Sequence, residues 1–301
     1  MNICVIGSTG FLGKNIIEYA LKNNFEILII GREKPSIQTV RNIKFIKLNL
    51  IESFLPSIIL DYQLIFYCAG VGINPSEDQK LNDINEINTF IPIKLAKFLD
   101  KNKYKGKLIT FGSYFEIGNV PSKLNGYTEK EIVTLKIENE NNYCLSKKKL
   151  TDFFNRTNLN IDFYHCILPT IYGLGENQNR LIPYVIKGIE NDDKLSFSAG
   201  NQIRQYLHIE DAINIIFLMI NKNISSGIYN FPSADTLSVR KIVEIIYKHF
   251  NKILNPKFFG AVKIRDEFMP ILELNSTKLL EKIDVPRLTN IKEYLLSKNI
   301  L

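Results

Sequence analysis

Six uninterrupted apolar runs punctuate the first 170 residues or so: "NICVIG", "EILIIG", "IKFIKLNL", "QLIFYCAG", "KLITFGS" and "IDFYHCILP". Runs of this length that do not alternate with polar residues suit strands covered on both faces, and each is closed by turn residues. The intervening segments are long enough for crossover helices. The pattern predicts an α/β fold, a Rossmann-type doubly wound parallel sheet. Such sheets bind ligands outside the carboxyl ends of their strands, so the residues following each run are the candidates for function.

Beyond about residue 170 the rhythm loosens into "YGLGENQNRLIPYVIKGIE", "KLSFSAGNQIRQYLHIEDAINIIFLMI" and "SVRKIVEIIYKHFNKI", with no Gly/Ser linker before them. A smaller mixed α/β C-terminal part should therefore pack directly on the sheet and close a cleft. We divide the chain into a dinucleotide-binding domain, 1–168, and a mainly substrate-binding part, 169–301, some of whose segments return to the sheet. The polar stretch 119–142 is long for a connection and suits a rim or lid.

Composition narrows this picture a little. With 301 residues and 45% hydrophobic content the chain can bury a substantial core. Its net charge of +7 is dispersed, and the one basic run, Lys147-Lys148-Lys149, falls inside a predicted helix. That balance suits small anionic ligands as well as nucleic acid. Cys4, Cys68, Cys144 and Cys166 show no metal-ligand spacing with each other or with histidine and read as buried thiols, so no metal site is expected. No segment approaches the ~18 apolar residues of a membrane span, and no leader pattern opens the chain, so a cytoplasmic location is expected.

The clearest chemistry lies in "ICVIGSTGFLGKNIIEYALKN": a strand, then Gly7, Gly10 and Gly13, then an amphipathic helix. Glycines allow a tight turn and close backbone approach, and the helix start offers free N–H groups to a pyrophosphate. The second strand ends "IIGREK". Gly31 stands where an acid would hold an unphosphorylated ribose, and Arg32 can fork onto a 2′-phosphate, so NADP(H) is favoured over NAD(H). Glu33 is the competing acid should the strand end shift. Asn49 and Leu50 after the third strand fall near the adenine, and Cys68-Ala69-Gly70 after the fourth makes a small-residue turn.

Two Tyr-x-x-x-Lys pairs occur, Tyr143/Lys147 and Tyr294/Lys298, so spacing alone decides nothing. Only the first has a partner hydroxyl at a strand end, Ser113 closing "KLITFGS". Residues i and i+4 share a helix face, and Lys147 is expected to lower the Tyr143 pKa through its charge. The second pair is assigned to a surface helix. His165 reads as core and His249 as helix surface, whereas His208 in "QYLHIED" stays open between a structural and a substrate-side role.

Taken together, "GSTGFLG", "CAG", the strand-end "GS", "YCLSK", "LPTIYGLG" and "GNQIRQYLHIEDA" resemble the extended short-chain dehydrogenase/reductases of the nucleotide-sugar epimerase/dehydratase/reductase superfamily, over essentially the whole chain. The resemblance implies that Ser113 polarises a carbonyl, Tyr143 exchanges the proton, and Lys147 holds the nicotinamide ribose. It places Gly7, Ser8, Thr9, Gly10, Phe11, Leu12, Gly13 and Leu168 at the cofactor. It places Tyr114, Thr170, Arg180, Leu181, Arg204 and His208 at a nucleotide-diphosphate sugar, with Arg204 on the diphosphate. It also implies a homodimer, built on the helix at about 85–100 and the Tyr143 helix, and no nucleic-acid or membrane partner.

Departures from the family pattern narrow the reaction. Tyr114 and Phe115 replace the Asp-Glu pair of sugar 4,6-dehydratases. Phe115 and Gly175 replace the Cys and His of epimerising reductases resembling GDP-fucose synthase. Ile167, Thr170 and Gln205 stand where Arg, Asn and Asp are frequent. The expectation is NADPH-dependent reduction of a keto group at C4 of a nucleotide-activated deoxysugar, in the making of a surface glycan such as lipopolysaccharide or capsule. An NAD-dependent 4-epimerase, a non-catalytic NADP-binding sensor or scaffold, and a reductase of flavonoid-like or steroid ketones remain as alternatives.

Overall fold

The computed structural model describes residues 1–35, 42–72, 81–137, 141–262 and 269–297. Its strands, in chain order, are β1 (Asn2–Ile6), β2 (Glu26–Gly31), β3 (Ile43–Lys47), β4 (Leu64–Tyr67), β5 (Lys107–Ser113), β6 (Asp162–Leu168), β7 (Thr170–Tyr172), β8 (Ile203–His208), β9 (Gly227–Asn230), β10 (Asp235–Ser238) and β11 (Ile271–Leu272). The helices are α1 (Phe11–Lys22), α2 (Leu81–Asn85), α3 (Ile91–Lys101), α4 (Glu129–Thr134), α5 (Asn142–Arg156), α6 (Leu181–Glu190), α7 (Ile209–Asn221), α8 (Val239–His249), α9 (Thr277–Leu280) and α10 (Ile291–Ser297).

All six predicted runs are strands of one parallel sheet, ordered β3-β2-β1-β4-β5-β6-β9. Alternate residues serve opposite faces. Cys4, Ile6, Leu28 and Ile30 pack with Leu95, Ala96 and Leu99 of α3 and Leu150 and Phe154 of α5. Ile3, Val5, Ile27 and Ile29 pack with Ile16, Ile17 and Ala20 of α1 and Ile213 and Ile216 of α7. Burial on both faces is why β1, β2, β4, β5 and β6 are apolar along most of their length, whereas β3, at the sheet edge, is only half-buried and keeps Lys44 and Lys47 exposed. The seventh strand, β9, comes from the C-terminal half.

A smaller mixed sheet is organised on β8, which pairs antiparallel with β10 and parallel with β7 and β11. It shares a third core with α6, α8 and α10, including Val185, Tyr206, Ile242, Ile246 and Tyr294. Tyr294 is only 7% exposed, its ring against Tyr172 and His208. This corrects the surface assignment of the second Tyr-x-x-x-Lys pair: the apolar face of α10 turns its tyrosine inward, and Lys298 lies outside the described residues. His249 is half-buried rather than fully exposed.

The polar stretch 119–142 is anchored to the C-terminal half. Tyr127 N donates to Glu273 O, Asn275 N donates to Tyr127 O, and Asn230 N donates to Glu129 Oε1, all within 2.9 Å. Cys4, Cys144 and Cys166 are buried, and Cys68 is half-buried. Among the described residues no helix is long and apolar enough to cross a membrane, and no cluster of His, Cys, Asp or Glu could hold a metal ion.

Candidate active site

The glycine turn is built by contact. Gly7 has φ +87°, and a Cβ there would stand 2.3 Å from Ala69 N; one at Gly13 would stand 2.4 Å from Gly7 O. Any side chain at either position would part β1 from β4 or α1 from the turn. Gly10 caps α1, whose first turn has no side-chain cap and no acid, so its N–H groups and positive dipole end remain for an anion.

That helix start borders a cavity of about 450 Å³. Thr9, Gly10, Phe11, Leu12, Cys68, Ala69, Gly70, Ser113, Tyr143, Lys147 and Leu168 line it, as do Lys14 and Phe111. Gly7 and Ser8 lie beneath the turn; the Ser8 hydroxyl is buried without a hydrogen-bond partner, 3.6 Å from where a Gly31 Cβ would sit. β2 does end at Gly31, and Arg32 and Glu33 follow it exposed. Arg32, Asn49 and Leu50 do not line the cavity. Asn49 Oδ1 closes its own turn by accepting from Ile51 N, and Leu50 packs on the core. A dinucleotide fits this donor set: a glycine cradle, a helix start free of acid, and a strand end with no side chain.

A second cavity, about 380 Å³, opens toward the smaller sheet. Tyr114, Phe115, Tyr143, Thr170 and Arg180 line both, so the two meet at the tyrosine. Leu181 and Arg204 line the second, whose far wall is Tyr184, Phe197, Ser198, Gln202 and Tyr206. Thr170 and Tyr114 share a hydroxyl–hydroxyl bond of 2.5 Å. His208 lines neither cavity, against the substrate-side expectation: it is 8% exposed, packed against Tyr172 and Tyr294. Gln205 spends its amide on the backbone of Leu274, and Ile167 is core.

At the junction Tyr143 and Ser113 line the same cavity, and the Ser113 side chain favours the Tyr143 phenolate. Burial pushes the phenol up to about 12, the Ser113 side chain and the Arg180 charge pull it down, and Cys144 and Glu116 push it up. The cation that lowers the phenol is thus Arg180 and not Lys147 as expected, and desolvation outweighs it. The Lys147 ammonium, 5.9 Å from the Tyr143 ring centroid, donates to Phe111 O at 3.0 Å. Burial pulls Lys147 down to about 8, against the opposing pull of Glu116.

Several polar residues at the site carry no sequence signal. Asn88 sits in a π-helical turn, Glu86–Phe90, that widens the helix between α2 and α3. Its amide donates to Val71 O and Ser146 Oγ and accepts from Val71 N, each at 2.9 Å, tying the loop after β4 to the residue beside Lys147. Glu176 is buried on the substrate side, where desolvation raises it to about 7 against the pull of Arg180. Glu116 is buried behind Ser113. Burial and a helical irregularity depend on the whole fold, so no local pattern announces them.

Residues 3–231 match the model of the NAD dependent epimerase/dehydratase family. The chain is 22% identical to a CDP-abequose synthase of Salmonella muenchen over 278 residues, 88% of this chain and 86% of that one. It is 24% identical to a GDP-6-deoxy-D-talose 4-dehydrogenase of Aggregatibacter actinomycetemcomitans over 294 residues, 93% and 90% of the two chains. The fold is shared with the UDP-glucuronic acid 4-epimerase of Bacillus cereus, solved with UDP-glucuronic acid and NAD: TM-score 0.83, 18% identity, 98% and 97% of the two chains covered.

Proposed function

The chain belongs to the NAD dependent epimerase/dehydratase family, and from that premise we propose that it reduces a keto group, at C4, of a nucleotide-activated deoxysugar with NADPH. The observation that carries this reading is the meeting of Ser113, Tyr143 and Lys147 where the two cavities join. A bound nicotinamide supplies the hydride. Ser113 holds the carbonyl oxygen, Tyr143 delivers a proton to it as charge develops, and the Lys147 cation favours the phenolate left behind.

The surroundings favour reduction over elimination. Phe115, beside Ser113, stands edge-on to Tyr114 and Tyr143 with centroids 5.0 and 6.3 Å away. Aromatic carbon thus occupies the ground where loss of water would need a further acid and base. The relative named GDP-6-deoxy-D-talose 4-dehydrogenase supports a deoxysugar substrate and chemistry at position 4, and the one named CDP-abequose synthase supports a nucleotide-linked sugar. Arg204 and Arg180 supply cationic forks for its diphosphate and sugar ends. Gly31 and Arg32 support NADPH, although the solved relative carries NAD. We further place the sugar between 1–168 and 169–301 of a cytoplasmic homodimer paired through α3 and α5.

The test is consumption of NADPH, with NADH in parallel, on a panel of nucleotide-linked 4-keto-6-deoxysugars, with products resolved by NMR. One alcohol formed with NADPH preferred is the expected result. Copurified NAD and interconversion of C4 epimers without net consumption would overturn it in favour of an epimerase.

A further inference from the structure

Behind Ser113, on the side away from both cavities, lies a carboxyl group that the reaction above does not use. Glu116 is the third residue of a short turn, Tyr114–Ile117, that follows β5 directly, and it is 0% exposed. Its Oε1 accepts from Ser113 N at 2.8 Å, closing a capping box with Ser113 as the cap. A glutamine would close that box equally well, so capping alone does not account for a buried charge, which costs far more than a buried amide.

The charges around it offset part of that cost, although Glu116 Oε2 is buried without a hydrogen-bond partner among the described residues. From α5, Lys147 and Lys148 face the carboxylate and favour its charged form, as do the Thr151 hydroxyl and the Ser113 N–H; Tyr143 faces it from the same helix. Lys148 has its own partner in Asp152. Lys147 does not: its ammonium donates to a neutral carbonyl, and Glu116 is the leading charge that holds it protonated. From β6, His165 approaches the same spot, its Nε2 2.9 Å and Glu116 Oε1 2.6 Å from where a Gly112 Cβ would sit. His165 is neutral, since burial and then the Lys147 charge hold it down at about 3. Glycine at 112 is what leaves room for the carboxyl under the strand end.

We propose that Glu116 is a positioning residue for the Ser113–Tyr143–Lys147 set, fixing the Ser113 backbone from behind and serving as the buried counter-charge that keeps Lys147 cationic. This rests on reading those three residues as the proton-transfer set. Burial raises the Glu116 carboxyl to about 7, so the counter-charge is present above neutrality and withdrawn below it. Both Lys147 and Tyr143 are held up by it, and neutralising it lowers both.

The experiment compares the wild-type protein with Glu116→Gln, which keeps the cap and removes the charge. On a reducible ketosugar, the alkaline limb of kcat should move down by about one pH unit in the variant, while the two proteins converge below about pH 6, where Glu116 is already neutral. A loss of the same size at every pH would mark a purely structural role and overturn the proposal. The second readout needs neither substrate nor cofactor. In protein carrying 13C at tyrosine Cζ, with Tyr143 assigned through Tyr143→Phe, the wild-type resonance should show a neutral-pH step in addition to its own ionisation. That step should survive Glu176→Gln and vanish in Glu116→Gln. If Glu116→Gln does not fold, the wild-type step decides alone, and its absence overturns the proposal. Failure to reduce any ketosugar would count against the proposed function and leave this titration standing.

Discussion

Arg180 Nε donates to Glu176 Oε1 at 2.7 Å, four residues back in the loop that precedes α6, so a buried carboxylate on the wall of the substrate cavity holds the arginine that borders both cavities. The pair fixes a planar fork at the junction and directs its charge toward Tyr143, whose phenol it acidifies.

Arg180→Ala should therefore lower kcat/KM by about 10- to 100-fold, the scale of one lost charge-assisted hydrogen bond. Arg180→Lys should recover only part of it, because a point charge does not reproduce the fork. Steady-state kinetics on the reduced ketosugar checks both.

Arg32 sits exposed just past Gly31, at the strand end where the adenosine ribose should lie. Arg32→Ala should weaken NADPH binding about tenfold or more and leave NADH binding unchanged. Fluorescence titration with each dinucleotide measures the ratio; equal losses for the two would remove Arg32 from phosphate recognition.

The glycine turn separates two effects of one methyl group. Gly7→Ala meets Ala69 N at 2.3 Å in a left-handed backbone, so it should cost about 1–3 kcal/mol of stability and abolish dinucleotide binding. At Gly10 nothing lies nearer than 3.7 Å and the residue borders the cavity. Gly10→Ala should melt like wild type yet bind dinucleotide poorly, which paired melting and binding curves would show.

His165 bridges Thr110 Oγ1 at 2.8 Å and Thr151 Oγ1 at 2.7 Å in the core, with burial holding it down at about 3. A folded-state pKa below the unfolded value means the native form releases the proton. Its contribution is complete above about pH 6.5 and is lost as pH falls toward 3. His165→Leu should cost about 2–3 kcal/mol at pH 7 by removing the buried ring that both hydroxyls share, and should flatten the acid side of a stability-against-pH curve measured by urea unfolding.

The legible part of the molecule is the part whose signal is local. β1, β2, β4, β5 and β6 show in the sequence because a strand covered on both faces must be apolar along most of its length, β3 shows as an apolar run despite its exposed Lys44 and Lys47, and the glycine turn shows because only glycine survives the contacts at Gly7 and Gly13. Ser113, Tyr143 and Lys147 could be placed together because strand ends and helix faces have fixed periods. β9 is only four residues long and contains Asn230, so it reads as loop until β6 provides its partner. Tyr294 reads as surface from its chain position and His208 stays open between two roles, yet they face each other across a core formed only when α10 packs on the small sheet. Glu116 looks like a turn residue, and its burial follows from Gly112 and α5 closing around it.

The central claim is hydride delivery to C4 with a proton from Tyr143. The most direct test incubates the protein with NADPH deuterated at both positions of nicotinamide C4 and a nucleotide-linked 4-keto-6-deoxysugar, then locates the label by NMR and mass spectrometry. The account predicts one deuterium on C4 of a single product alcohol, and none with Tyr143→Phe, which still binds NADPH. Deuterium at another carbon, or a Tyr143→Phe protein that turns over like wild type, would contradict it.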